Sequence, residues 1–132
     1  MTKDISAEVE SAFDYARSYY KNPEVLEDFE RLARYTPTTF ANYIKLRRGI
    51  FESPESSLTD RERELIIVAM EIIARKTNPP PIGHALKALD VGATIEDLAE
   101  VISLCIMIGG MLTYQESGRY VLRAVEERIT EQ

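Results

Sequence analysis

Leu58-Thr59-Asp60-Arg61-Glu62-Arg63-Glu64-Leu65-Ile66-Ile67-Val68-Ala69-Met70-Glu71-Ile72-Ile73-Ala74-Arg75 holds a helix start signal, a long apolar body and one polar stripe. Thr59 and Glu62 fit a capping box, in which each side chain satisfies the other residue's free backbone N–H. Behind it, Leu65 to Ile73 is apolar around most of a helical circumference, which predicts a helix central to the core. The polar stripe runs through Arg61, Glu64, Glu71 and Arg75. Spacing favours pairing of Glu71 with Arg75, four residues on.

The same signals recur on both sides. Upstream, Ser6 is expected to cap a helix carrying Val9, Phe13, Ala16 and Tyr20 on one face. Asn22-Pro23 and Thr36-Pro37 read as caps followed by proline at the first helical position. The first of these helices groups Leu26, Phe29, Leu32 and Ala33. The second is expected to turn Phe40, Tyr43, Ile44 and Ile50 inward and leave Lys45, Arg47 and Arg48 solvated. Downstream, Pro79-Pro80-Pro81 is expected to end the central helix. A short helix over Ile82 to Leu89 follows, with Gly92 as its left-handed exit. Thr94 caps a second, very apolar helix with Glu96 and Asp97 in its first turn. Leu98, Val101, Ile102, Cys105 and Ile108 form its main stripe, and Leu104, Ile106 and Met107 make the other side apolar. Gly109-Gly110 breaks it, and a last amphipathic helix carries Tyr120, Val121, Ala124, Val125 and Ile129. No stretch alternates with period two as a strand would. The expectation is an all-α single domain over 1–132, of six to seven helices, with the two most apolar helices surrounded by amphipathic ones.

Composition agrees with a globular chain: 132 residues, 45% hydrophobic and 29% charged. A net charge of −6, with no basic run longer than Arg47-Arg48, argues against a nucleic-acid partner or an anionic membrane surface. The apolar run Leu98 to Leu112 is too short to span a bilayer and contains Glu100 and Ser103. The polar N-terminus lacks a signal-peptide core, so the expected location is the cytoplasm. A single cysteine, Cys105, rules out a cysteine-pair redox cycle within one subunit.

From Leu58 onward, the order of motifs resembles the carboxymuconolactone decarboxylase family, also known as the alkylhydroperoxidase D-like (AhpD-like) family. The residues that carry the resemblance are Leu58 to Ile66, His84-Ala85-Leu86-Lys87-Ala88-Leu89, Gly92 to Ile102, and Gly109-Gly110. Upstream, Tyr35, Pro37, Phe40, Tyr43 and Phe51 are similar to the family's leading helices. The resemblance implies an AhpD-like all-helical subunit that assembles as a homo-trimer or homo-hexamer. It also implies one of two chemistries. Redox members carry Cys-x-x-Cys, a histidine four residues after the second cysteine, and an upstream glutamate. Lactone decarboxylases lack the pair and release carbon dioxide without a cofactor. Here His84 matches the family histidine, Thr77 and Pro80 stand where the cysteines would be, and Glu64 best matches the glutamate, one residue further from the histidine than usual.

His84 is the only histidine. It reads either as a hydrogen-bonded helix residue or as a general acid at a pocket, since imidazole titrates near neutrality. Glu64 reads either as a solvated helix charge or as its catalytic partner. Cys105, on an apolar stripe without a cationic neighbour in sequence, behaves as a small hydrophobe. A lone histidine makes no zinc site, so no metal is expected. The leading expectation is a cofactor-free decarboxylase, or related lyase, acting on a small anionic substrate such as a carboxylated lactone or keto acid. His84 and Glu64 would be its catalytic residues, and Arg61 and Tyr114 would bind substrate. The alternatives are an AhpD-like antioxidant of peroxiredoxin type with a degenerate redox site, and a non-catalytic oligomeric binding module.

Overall fold

The computed structural model describes residues 5–76 and 80–131, and all the regular structure in them is helical. The helices are α1 (Ser6–Tyr19), α2 (Pro23–Tyr35), α3 (Pro37–Phe51), α4 (Asp60–Ile73), α5 (Pro80–Asp90), α6 (Ile95–Gly109), the single turn α7 (Met111–Thr113) and α8 (Arg119–Thr130). A π-helical turn, Tyr114–Gly118, joins α7 to α8. The chain forms two compact units, 1–56 and 57–132.

The first unit is built on α1, α2 and α3. Ala12, Ala16, Phe40 and Ile44 are buried, with Val9, Phe13, Leu26, Phe29 and Ala33 packed around them. Asn22 caps α2 as expected, accepting from the Glu24 N–H at 2.9 Å. At the other starts, one expected cap residue is displaced and the other takes the cap position, with proline next, without making a side-chain cap bond. Ile5, not Ser6, occupies the cap position of α1, and no side chain bonds there. Thr36 precedes Pro37, but its hydroxyl turns back to the Leu32 carbonyl at 2.9 Å and serves the end of α2 instead.

Arg47 corrects the predicted face of α3. It was expected in solvent but is 6% exposed. Its guanidinium lies over the rings of Tyr19 at 3.7 Å, Phe51 at 4.0 Å and Tyr20 at 4.9 Å, and donates to the Tyr15 hydroxyl at 3.1 Å. A planar, weakly hydrated cation can be buried against aromatic faces in a way an ammonium cannot. Tyr43 and Ile50, expected inside, are exposed.

The second unit packs α4, α5, α6 and α8 around Val68, Ile72, Ala85, Leu98, Ile102, Cys105, Val121 and Val125. The expected capping box of Thr59 with Glu62 forms on α4, and Thr94, expected as a cap, makes a second box with Asp97 on α6. Gly92 adopts φ +104° at the exit of α5, as the sequence suggests.

The end of α4 differs from expectation. The helix stops at Ile73, before the proline run. Arg75 takes a left-handed φ of +56°, its N–H bonds the Ile72 carbonyl and the Lys76 N–H bonds the Glu71 carbonyl, both at 2.9 Å. These two bonds are a Schellman closure, here made without the usual glycine. Pro79 lies outside the described residues, and α5 starts at Pro80, so proline opens a helix rather than closing one.

α4 and α6 are not surrounded. Val68 and Ile72 on α4, and Leu98, Ile102 and Cys105 on α6, are buried. Ile66, Met70 and Ile73 on α4, and Leu104, Met107 and Ile108 on α6, are exposed, as are Met111 and Leu112 beyond it. Helices apolar on every side need partners on every side, and α5 and α8 occupy only part of the circumference.

Gly109 and Gly110 are both needed where α6 ends. Gly110 sits at φ +85°, ψ +168°, a region reserved for glycine. A Cβ on Gly109 would meet the Thr113 methyl at 2.6 Å and the Ile73 side chain at 3.0 Å.

Candidate functional site

His84 stands in the second turn of α5, next to Ala85, which is fully buried, as is Ala88 one turn on. These small residues let α5 approach α4 closely. Glu64 and Glu71 lie on α4 seven residues apart, so two turns put them on one face. The imidazole lies between them. His84 Nδ1 is 2.7 Å from Glu64 Oε2, and His84 Nε2 is 3.5 Å from Glu71 Oε1.

The surroundings are largely dry. The side chains of His84, Glu64 and Glu71 are 16%, 4% and 20% exposed. A carboxylate offers only acceptors, so the Nδ1 facing Glu64 carries the hydrogen and donates it. That contact fixes the tautomer and ring orientation. Burial pushes the Glu71 carboxyl above the usual glutamate range, the charges of His84 and Lys76 pull it back, and Glu64 adds to the rise. Its Oε2 is buried and has no hydrogen-bond partner among the described residues.

The chain matches the Carboxymuconolactone decarboxylase family over residues 37–123, which include α4, α5 and the His84–Glu64 pair. It belongs to that family. A solved structure from Burkholderia xenovorans LB400, described as a candidate carboxymuconolactone decarboxylase, has the same fold. It superposes with a TM-score of 0.81 at 24% identity, covering 97% of this chain and 96% of that one. No curated protein matches the chain.

Thr77 and Pro80, the positions of the cysteines in redox members of the family, lie outside the residues whose side chains are described. Cys105 is buried on α6, with its Sγ 3.6 Å from the Ala69 carbonyl. Burial pushes its thiol pKa up, the opposite of what a reactive thiolate needs.

Arg61 is engaged elsewhere. Its guanidinium pairs with Asp97 at 2.8 Å, the same carboxylate that caps α6 through the Thr94 N–H. Those two contacts, the backbone one first, hold the Asp97 carboxyl below its usual range. Tyr114 is half-buried against the core of the second unit, where it opens the π turn. No contact joins either residue to His84 among those described. Two cavities of about 620 and 590 Å³ lie in the first unit, and His84 lines neither.

Glu71 is the residue that sequence reasoning misplaced. It was paired with Arg75, but the left-handed turn at Arg75 carries that side chain to Glu116, at 3.7 Å. The signal was present in the seven-residue interval between Glu64 and Glu71, which puts both on the side facing α5.

Proposed function

We propose that this family member is a cofactor-free decarboxylase, acting on a small carboxylated lactone or keto acid. The observation that carries the reading is the contact between His84 Nδ1 and Glu64 Oε2 at 2.7 Å, in a mostly dry setting. Loss of carbon dioxide leaves an electron pair that the substrate carbonyl delocalises, and one proton must then be delivered to carbon. Glu64 orients the imidazole and stabilises its charged form, and Nε2 donates the proton.

An anionic substrate needs a cation. Arg61 can serve by leaving Asp97, because a partly exposed ion pair holds its partners less firmly than a buried one. An arginine from a neighbouring copy is the other source. Tyr114 would line the substrate's path. Self-assembly as a trimer or hexamer would cover the exposed faces of α4 and α6, since large exposed apolar patches usually mark contact surfaces. The family match crosses both compact units, which supports their working as a single domain over 1–132. No described helix is long and apolar enough to cross a membrane, and the net charge is −6, which together support a cytoplasmic enzyme.

The test is ultraviolet absorbance screening of carboxylated lactones and keto acids with the native chain and with His84→Ala. Turnover by the native chain that disappears in the folded variant is expected. Equal turnover by both would overturn the role of His84.

A further inference from the structure

We propose that Glu71 is a positioning residue that holds the proton recharging His84 Nε2, so that the two side chains act as one proton-sharing pair. This rests on the reading of His84 as a proton donor.

Geometry carries the argument. Glu64 occupies Nδ1 at 2.7 Å, so the proposed proton donation runs through Nε2. Nε2 faces Glu71 Oε1 at 3.5 Å, a gap that a small side-chain rotation closes to hydrogen-bonding distance. The second oxygen, Oε2, is buried and has no partner among the described residues. A bare buried oxygen costs less on a neutral carboxylic acid than on a carboxylate. Placing the hydrogen on Oε1, towards Nε2, leaves Oε2 as a plain carbonyl oxygen. The charges acting on Glu71 are His84 on α5, Lys76 in the connection and Glu64 on its own helix. The other elements packed on α4 bring Asp97 of α6, paired with Arg61, Glu116 of the π turn, paired with Arg75, Glu96 and Glu100 of α6, and the buried Cys105 thiol.

The step balances. The Glu71 O–H bond breaks as a new N–H bond forms at Nε2, and Nε2 then gives that hydrogen ion to the substrate carbon. Glu71 becomes a carboxylate and regains a proton from water, which is the one proton that decarboxylation consumes.

The test is carbon-13 titration of glutamate side-chain carboxyls in the native protein, with the Glu71 signal assigned by its loss in Glu71→Gln. Nitrogen-15 titration of the histidine ring accompanies it. The Glu71 and Nε2 curves are expected to share an inflection. In His84→Asn the Glu71 curve is expected to move up by about one pH unit, the size of effect an opposite charge has at this range. Shared inflections support the pair even in a chain without lactone turnover, so the experiment separates this proposal from the substrate assignment. A Glu71 that titrates as an ordinary solvated glutamate, or that ignores His84→Asn, overturns it.

Discussion

His84 Nδ1 and Glu64 Oε2 meet at 2.7 Å across the packing of α5 on α4, twenty residues apart in the chain. Glu64 reaches the ring from the first turns of a helix whose start is fixed by the Thr59–Glu62 capping box. A shift of α4 by one residue would rotate Glu64 about 100° away from α5. The cap is therefore part of what aims the carboxylate.

His84→Ala should lose about 10²–10⁴ of any turnover, the range that positioned general acids supply. The variant should stay helical by circular dichroism. It removes one partner of a buried carboxylate, so its stability should fall by about 1–3 kcal/mol. Denaturant unfolding beside a turnover assay separates the two effects. Full turnover at reduced stability would assign His84 to structure alone.

Glu64→Gln keeps the shape of the side chain and removes its charge. An amide can turn its NH₂ towards Nδ1, which then becomes an acceptor and moves the ring hydrogen to the other nitrogen. Turnover should drop by about 10²-fold or more, with little change in the affinity for substrate. Nitrogen-15 shifts of the ring should report the change of tautomer. An unchanged ring spectrum would remove Glu64 as the orienting group.

Glu71 gives the stability profile a sign. Burial raises its carboxyl above the usual value, so between the unfolded and folded values the native state holds more proton than the unfolded one. Stability from this group therefore declines as pH rises from the ordinary glutamate value through the raised one. Glu71→Gln removes the decline, so the variant should gain stability relative to the native chain at neutral pH and lose that advantage in acid. Denaturant midpoints across pH measure it. Parallel profiles for the two proteins would contradict the burial argument.

The helices were legible because caps, prolines and apolar spacing are local. Asn22-Pro23, Thr59 with Glu62, and Thr94 each announce a start that the structure contains. What the sequence hid depends on partners distant in the chain. Arg47 looks like a solvated charge until Tyr15, Tyr19, Tyr20 and Phe51 converge on it from two helices. Glu71 looks like the partner of Arg75 until the left-handed turn at Arg75 takes that side chain to Glu116. Both carboxylates of the candidate site were on the polar stripe read from the sequence, but only packing shows that one imidazole lies between them.

That arginine yields the last test. Arg75 holds φ at +56°, where a side chain with a Cβ pays about 1 kcal/mol that glycine does not. The closure it makes terminates α4 just after Glu71, so the conformation is required even though the residue is ill suited to it. The ion pair with Glu116 that Arg75→Gly would remove is half exposed and contributes little. Arg75→Gly should therefore raise stability by roughly 0.5–1 kcal/mol without disturbing the titration of Glu71. Arg75→Val should lower it, because a β-branched side chain is worse still at positive φ. If thermal melts rank the valine variant above the glycine variant, the left-handed closure is not what ends the helix, and the placement of Glu71 beside His84 loses its local cause.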